Sequence, residues 1–151
     1  RKIFKRFNNF FSGNSFPMPK TILDTDIEKL RLIGLSYRKA EYINNIAQAF
    51  LDKSDIYLNL DKMSDDEIIA NLTKVKGIGL WTAQMFLMFT LNRPDIFPAT
   101  DLAMQKGFQM YFGLKSLPNP NMMIQRSEEW IPYRTTVSLY FWSVLEGPFE
   151  W

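Results

Sequence analysis

Residues 72 to 101 read LTKVKGIGLWTAQMFLMFTLNRPDIFPATD, and these thirty positions decide how the rest of the chain is read. The pattern predicts the end of a helix, a glycine hairpin over Val75-Lys76-Gly77-Ile78-Gly79, and a very apolar helix from Trp81 to Leu91. A loop from Asn92 to Thr100 with Pro94 and Pro98 follows, then a lone carboxylate, Asp101, at the start of another helix. Glycines at such a turn reach positive φ at little steric cost and let a ligand approach the backbone. Successive amides leading into a helix N-terminus suit an anion, phosphate above all. The carboxylate stands 22 residues beyond Gly79. A turn that grips phosphate, with a carboxylate nearby, implies an enzyme that holds a nucleic-acid backbone and does chemistry beside it.

Outward from this stretch, apolar residues recur mostly at spacings of three and four, which predicts helices. Ile3, Phe4, Phe7 and Phe10 share one face of a first helix over Arg1 to Phe11. Asp24 or Thr25 caps a short helix that stops at Gly34. Ser36 to Leu51 is a longer helix, and Ser64-Asp65-Asp66-Glu67 is a capping box for a helix to about Thr73. Beyond the quoted stretch, helices are expected from Asp101 to near Gly113, from Asn119 to Trp130, and from Pro132 to Leu145 with the proline in the first turn. Only Lys53 to Leu60 is ambiguous between helix and strand. The expectation is an all-α protein of about seven or eight helices, forming one domain over residues 1–151.

Composition narrows the chemistry. With 46% apolar residues, 151 residues can bury one good core. No apolar run approaches about 18 residues, so no membrane span is expected, and no signal-peptide pattern opens the chain. Zero cysteines exclude disulfides, thiol catalysis and iron–sulfur clusters. Zero histidines remove the commonest general base and metal ligand. The net charge of +2 is small for a protein that grips DNA by charge alone, and suits a footprint in which backbone amides take several phosphate contacts.

The hairpin segment Leu72-x-x-Val75-Lys76-Gly77-Ile78-Gly79-x-Trp81-Thr82-Ala83 and the downstream Phe97-Pro98-Ala99-Thr100-Asp101 resemble the helix-hairpin-helix DNA glycosylase superfamily. Trp130-Ile131-Pro132-Tyr133-Arg134 and Tyr140-Phe141-Trp142 are similar to that family's closing segment and pocket tryptophan. Phe16-Pro17-x-Pro19 and Ile33-Gly34-Leu35-x-x-Arg38-Lys39-Ala40 fit the part that precedes the hairpin. The likeness runs along nearly the whole chain and looks strongest toward the 3-methyladenine DNA glycosylase II (AlkA-type) branch. In such enzymes a further helix, whose residues wedge into the duplex, usually precedes the point where this chain begins. No candidate for that element is found here, and Arg1 is not an initiator residue: either the N-terminus is missing, so that the sequence is truncated, as is expected, or the protein fills the gap differently.

The resemblance implies a monofunctional glycosylase of base excision repair, which flips an alkylated purine of the 3-methyladenine or 7-methylguanine type out of double-stranded DNA and hydrolyses its glycosidic bond. Asp101 is the implied catalytic carboxylate, favoured in its charged form by the helix macrodipole and able to stabilise an oxocarbenium-like sugar. Trp142, with Trp81, Tyr133 and Tyr140, is the implied base pocket, because aromatic faces attract a cationic base. Phe86 and Phe89 read as core. Bifunctional members carry a Schiff-base lysine two residues after the second glycine; Trp81 stands there instead, which implies no lyase activity. Gly77, Gly79 and Thr82 would bind a DNA phosphate, with Lys74 and Lys76 beside it. Lys76 occupies a position where the family usually has proline. The carbonyls of Thr73, Val75 and Ile78 would hold a monovalent cation, Na+ or K+, with no other cofactor required. Arg134 matches the family pattern and is equally explained by an internal salt bridge. The expected protein is monomeric, not membrane-bound and not secreted, acting in the cytoplasm or nucleoid of a prokaryote or the nucleus of a eukaryote. The rival readings are a glycosylase for another lesion class and a non-catalytic helix-hairpin-helix DNA-binding module.

Overall fold

The structure, a computed structural model, describes residues 2–11, 16–53 and 58–146. Among the described residues there are nine α-helices, two short 3-10 helices and no strand, as the 3.6-residue periodicity requires. The helix beyond the sequence expectation is a single turn and a half, Pro19–Leu23. Of the ambiguous stretch Lys53 to Leu60, residues 54–57 lie outside the described ones, and Leu60 opens a 3-10 turn. The chain divides into two compact units, Arg1–Gly79 and Leu80–Trp151.

The first unit contains α1 (Lys2–Phe10), α2 (Pro19–Leu23), α3 (Ile27–Leu32), α4 (Tyr37–Asp52) and α5 (Asp65–Leu72). Its core gathers Phe7, Ile22, Leu30, Ile33, Ala40 and Ala47. Full burial of a side chain such as Leu30 contributes about 1.5–3 kcal/mol. The aromatic face expected of α1 is only partly buried: Phe7 is inside, while Ile3, Phe4 and Phe10 remain exposed. The cap of α3 is Asp26, whose carboxylate accepts the Glu28 amide at 2.9 Å, and not Asp24 or Thr25. Those two finish α2 instead: Asp24 is its C-cap, and the Thr25 hydroxyl bonds back to the Thr21 carbonyl at 2.7 Å. Three consecutive cap-capable residues sit between two short helices, and tertiary packing selects among them. Ser36 caps α4, and Ser64 with Glu67 forms the expected reciprocal capping box at the start of α5.

The second unit contains α6 (Leu80–Phe89), α7 (Leu102–Phe112), α8 (Pro120–Ser127) and α9 (Arg134–Glu146). Helix α6 ends two residues before Leu91, because Thr90 and Leu91 both turn their amides to the Phe86 carbonyl and Asn92 adopts φ 53°. Helix α7 runs from its N-cap Asp101 to Gly113, which closes it in the left-handed conformation at φ 62°. Helix α9 begins at Arg134, so Pro132 does not sit in its first turn; it precedes the helix, in a cis peptide with Ile131. Helices α7 and α9 pack closely. Gly107 is buried, and a Cβ there would lie 1.9 Å from the Phe141 carbonyl oxygen. Around that contact Phe108, Phe112, Trp130 and Phe141 form an aromatic cluster with ring centroids 4.6–6.4 Å apart.

Candidate active site

Asp101 enters the second unit as a helix cap. Its Oδ1 accepts the Met104 amide at 2.8 Å, the ordinary N-cap bond that satisfies one orphan donor of α7. Two further donors come from other helices. The Trp142 indole, on α9, donates Nε1–H to the same Oδ1 at 3.0 Å. The Trp81 indole, the second residue of α6, donates to Oδ2 at 2.8 Å. The carboxylate is thus held by one amide and two indoles on three helices. Trp142 is buried and stacks on Phe89, centroids 6.2 Å apart at 24°. Phe89 is therefore not a core residue: it is 46% exposed and serves as a backing plate for Trp142. Trp81 is half exposed.

The loop that delivers Asp101 is fixed by the start of α9. Arg134 grips Asp95 through two hydrogen bonds of 2.7 Å each, which makes it an internal ion pair of the bidentate kind. The Thr135 hydroxyl accepts the Ile96 amide and donates to the Arg93 carbonyl, and its amide bonds the Pro94 carbonyl. Buried Ser138 donates to the Ile96 carbonyl. The Arg134 guanidinium, chiefly through its hydrogen bonds, holds the Asp95 carboxyl below the usual carboxylate range. A lowered folded-state value contributes stability that is complete above the unfolded value, near 3.8, and is lost as pH falls through the folded one. Thermal unfolding should therefore fall more steeply below about pH 4 in the wild type than in Asp95→Asn, which is already weakened at pH 7 by an amount on the order of 1–2 kcal/mol. Acid titrations of the two melting temperatures that fall with equal steepness would refute this.

The two tyrosines expected in the pocket do not join Asp101. Tyr140 lies two residues, about 200°, around α9 from Trp142. It lines a cavity of about 480 Å³ with Tyr111, Arg126, Trp130 and Val144, and Asp101 is not part of that lining. Tyr133, before α9, is 66% exposed and is not one of the hydrogen-bond donors to the carboxylate. The partners of Asp101 were visible in the sequence as residue types, but not as donors: nothing local in a sequence says whether an indole offers its face or its edge.

In the first unit, the hairpin keeps its turn through amide bonds from Val75 to Leu72 and from Ile78 to Val75. Gly77 has φ 112°, and a Cβ there would run into the Tyr42 side chain at 2.4 Å, so this glycine is dictated from within. A Cβ at Gly79 would meet nothing within 4 Å. Lys76 does not stand free: its ammonium pairs with Glu41, whose hydrogen bond and charge hold it above the ordinary lysine range, and its carbonyl accepts from Asn45 at 3.1 Å. Lys74 is exposed and bonds Asn71 at 3.2 Å. Thr82 is exposed in the first turn of α6. Thr73 caps α5, and Val75 uses one of its two carbonyl lone pairs on the Ile78 amide. Among the described residues there is no cluster of three or more His, Cys, Asp or Glu able to hold a metal ion, and no helix is long and apolar enough to cross a membrane.

Residues 1–133 match the model of the HhH-GPD superfamily base excision DNA repair proteins. The chain belongs to that superfamily. It is 36% identical over 141 residues to the DNA-3-methyladenine glycosylase 1 of Schizosaccharomyces pombe, covering 93% of this chain and 62% of that protein. It is 34% identical over 125 residues to the DNA-3-methyladenine glycosylase of Saccharomyces cerevisiae, covering 76% of this chain and 41% of that protein. The solved S. pombe 3-methyladenine DNA glycosylase, in complex with abasic DNA, superimposes with TM-score 0.87 at 35% identity, covering 99% of this chain and 74% of that one. The chain thus spans between two fifths and two thirds of these curated relatives. The HhH-GPD match extends across both units and ends just before α9, which supplies Trp142.

Proposed function

We propose that this protein is a monofunctional DNA glycosylase that excises alkylated purines, of the 3-methyladenine or 7-methylguanine type, from duplex DNA in base excision repair. The observation that carries the reading is the carboxylate of Asp101, held by indoles from two other helices in an HhH-GPD chain whose relatives are named 3-methyladenine glycosylases. An N3- or N7-alkylated purine carries a formal positive charge. When its bond to C1′ breaks, the bonding electrons neutralise the base, and the sugar becomes oxocarbenium-like. Asp101 stabilises that charge at close range, water adds to C1′, and the water's proton passes to Asp101 or to solvent. The leaving base needs no strong acid, which suits a chain without histidine.

Gly77, Gly79 and Thr82 offer amides to a phosphate, with Lys74 beside them; the open space at Gly79 supports an approach from outside the protein. Lys76 contributes through its pair with Glu41, as a brace for the hairpin, and meets phosphate only if that pair opens. The carbonyls of Thr73, Val75 and Ile78 suit a bridging Na+ or K+, since Val75 retains a lone pair. Trp81 and Trp142 border the base, with Tyr133 at the exposed rim; Tyr140 faces elsewhere. The protein acts as a monomer on double-stranded DNA, in the cytoplasm or nucleoid of a prokaryote or the nucleus of a eukaryote.

Release of free 3-methyladenine or 7-methylguanine from methylated duplex DNA tests the activity; no release by the full-length protein would end this reading. Because Trp81 occupies the position of a lyase lysine, borohydride added during turnover should trap no covalent protein–DNA adduct, and a trapped adduct on gel electrophoresis would contradict the monofunctional assignment.

A further inference from the structure

We infer that Trp81 and Trp142 are positioning residues for Asp101, and that they leave Oδ2 as the single oxygen available to the reacting sugar. The inference rests on Asp101 being the reacting carboxylate. An ionised carboxylate offers about four lone-pair sites. Oδ1 uses two, on the Met104 amide and the Trp142 indole. Oδ2 uses one, on the Trp81 indole. Among the described residues one site remains, on Oδ2, and the bond from Trp81 decides which way it points.

Helix capping does not require this arrangement. One bond from Oδ1 to Met104 completes the cap, and the indoles are additional. For Trp142 a structural motive exists, since a buried N–H needs an acceptor. That motive is absent for Trp81, which is 49% exposed and could give its N–H to water. Its 2.8 Å bond to Oδ2 therefore points to a role in orienting the carboxylate. An indole N–H lies in the ring plane, so donation presents the ring's edge to Asp101. Stacking on a base uses the face instead. On Trp142, Phe89 stacks against one face, and little of the residue is open. Both tryptophans thus act on the reaction through Asp101, whatever face Trp81 also offers the base.

Trp81→Phe separates edge from face, because phenylalanine keeps an aromatic face and loses the donor. It should slow the chemical step about ten- to hundred-fold, measured in single turnover on a duplex carrying one 7-methylguanine, since loss of a fixed geometry near the reacting atom commonly has that size. Affinity for the same duplex should stay within about two-fold, and Trp81→Phe added to Asp101→Asn should leave that affinity unchanged. An unchanged rate for Trp81→Phe, or a loss matched by weaker binding, would overturn the inference. If Asp101→Asn itself excised the base, the failure would belong to the underlying assignment of Asp101 instead.

Discussion

Asp101→Asn is expected to abolish excision from methylated duplex DNA while leaving the melting temperature within a few degrees of wild type. Asparagine keeps the oxygen that can cap α7 at Met104, and Asn is as good an N-cap as Asp. Stability should therefore change by less than about 1 kcal/mol from the cap itself. What disappears is the negative charge. Removing one preorganised electrostatic group at a reacting centre typically lowers the rate by about 10²–10³, and loss of a full charge opposite a developing cation should reach at least the upper end. The amide also presents an NH2 where one indole now donates, so one of the bonds from Trp81 and Trp142 becomes donor against donor. Both effects act on the chemical step, and neither requires the DNA to leave. Base release and thermal melting, measured on the same preparations, separate the two terms. A variant that excises at a near-normal rate would refute the catalytic role.

Gly107→Ala should be the most damaging single-methyl change in the second unit. Helix propensity alone favours the substitution by about 0.5–1 kcal/mol. The contact reverses the sign. A Cβ would sit 1.9 Å from the Phe141 oxygen and 2.6 Å from its carbonyl carbon, both backbone atoms of a packed helix that cannot rotate aside. Overpacking of this kind costs about 1–3 kcal/mol and sometimes more, and a clash with backbone belongs at the upper end, so after the propensity gain a net loss of about 2 kcal/mol is expected, or roughly 4–8 °C in melting temperature for a chain of this size. The effect should extend to function. Pushing α9 from α7 moves Trp142, the neighbour of Phe141, away from Asp101 at the head of α7. Excision should fall even at temperatures where the variant remains folded. Unchanged melting would show that the two backbones are not in contact.

These contrasts indicate what the sequence could and could not convey. Helix starts at Ser36, Ser64 and Asp101 were legible because a capping side chain acts on an amide two or three residues away, within one local window. Asp24 and Thr25 were misread because Asp26 competes for the same task, and only packing selects the winner. Pro132 fits a first helical turn by rule, yet helix α9 starts two residues later at Arg134. Asp101, Trp81 and Trp142 were legible as a set only through the resemblance of their segments to the glycosylase family, since spacing alone fits an ordinary capping aspartate equally well. Their donor roles, the stacking of Phe89 and the separate cavity of Tyr140 were not, because each depends on the rotation of one helix against another. Gly107 likewise carries no local mark: a helical glycine looks like a weakness until the neighbouring backbone is seen.

The partners that hold Asp101 are a peptide amide and two indoles. None of the three takes up or releases a proton at physiological pH, binds a metal as it stands, or changes its charge with redox state. The chain contains no histidine or cysteine that could be recruited to do so. The carboxylate's immediate shell is therefore deaf to the chemistry of the surrounding solution. A signal that reaches this oxygen pair through its partners must arrive as a displacement of a helix, and under the proposed function the most direct source of such a displacement is the DNA strand itself.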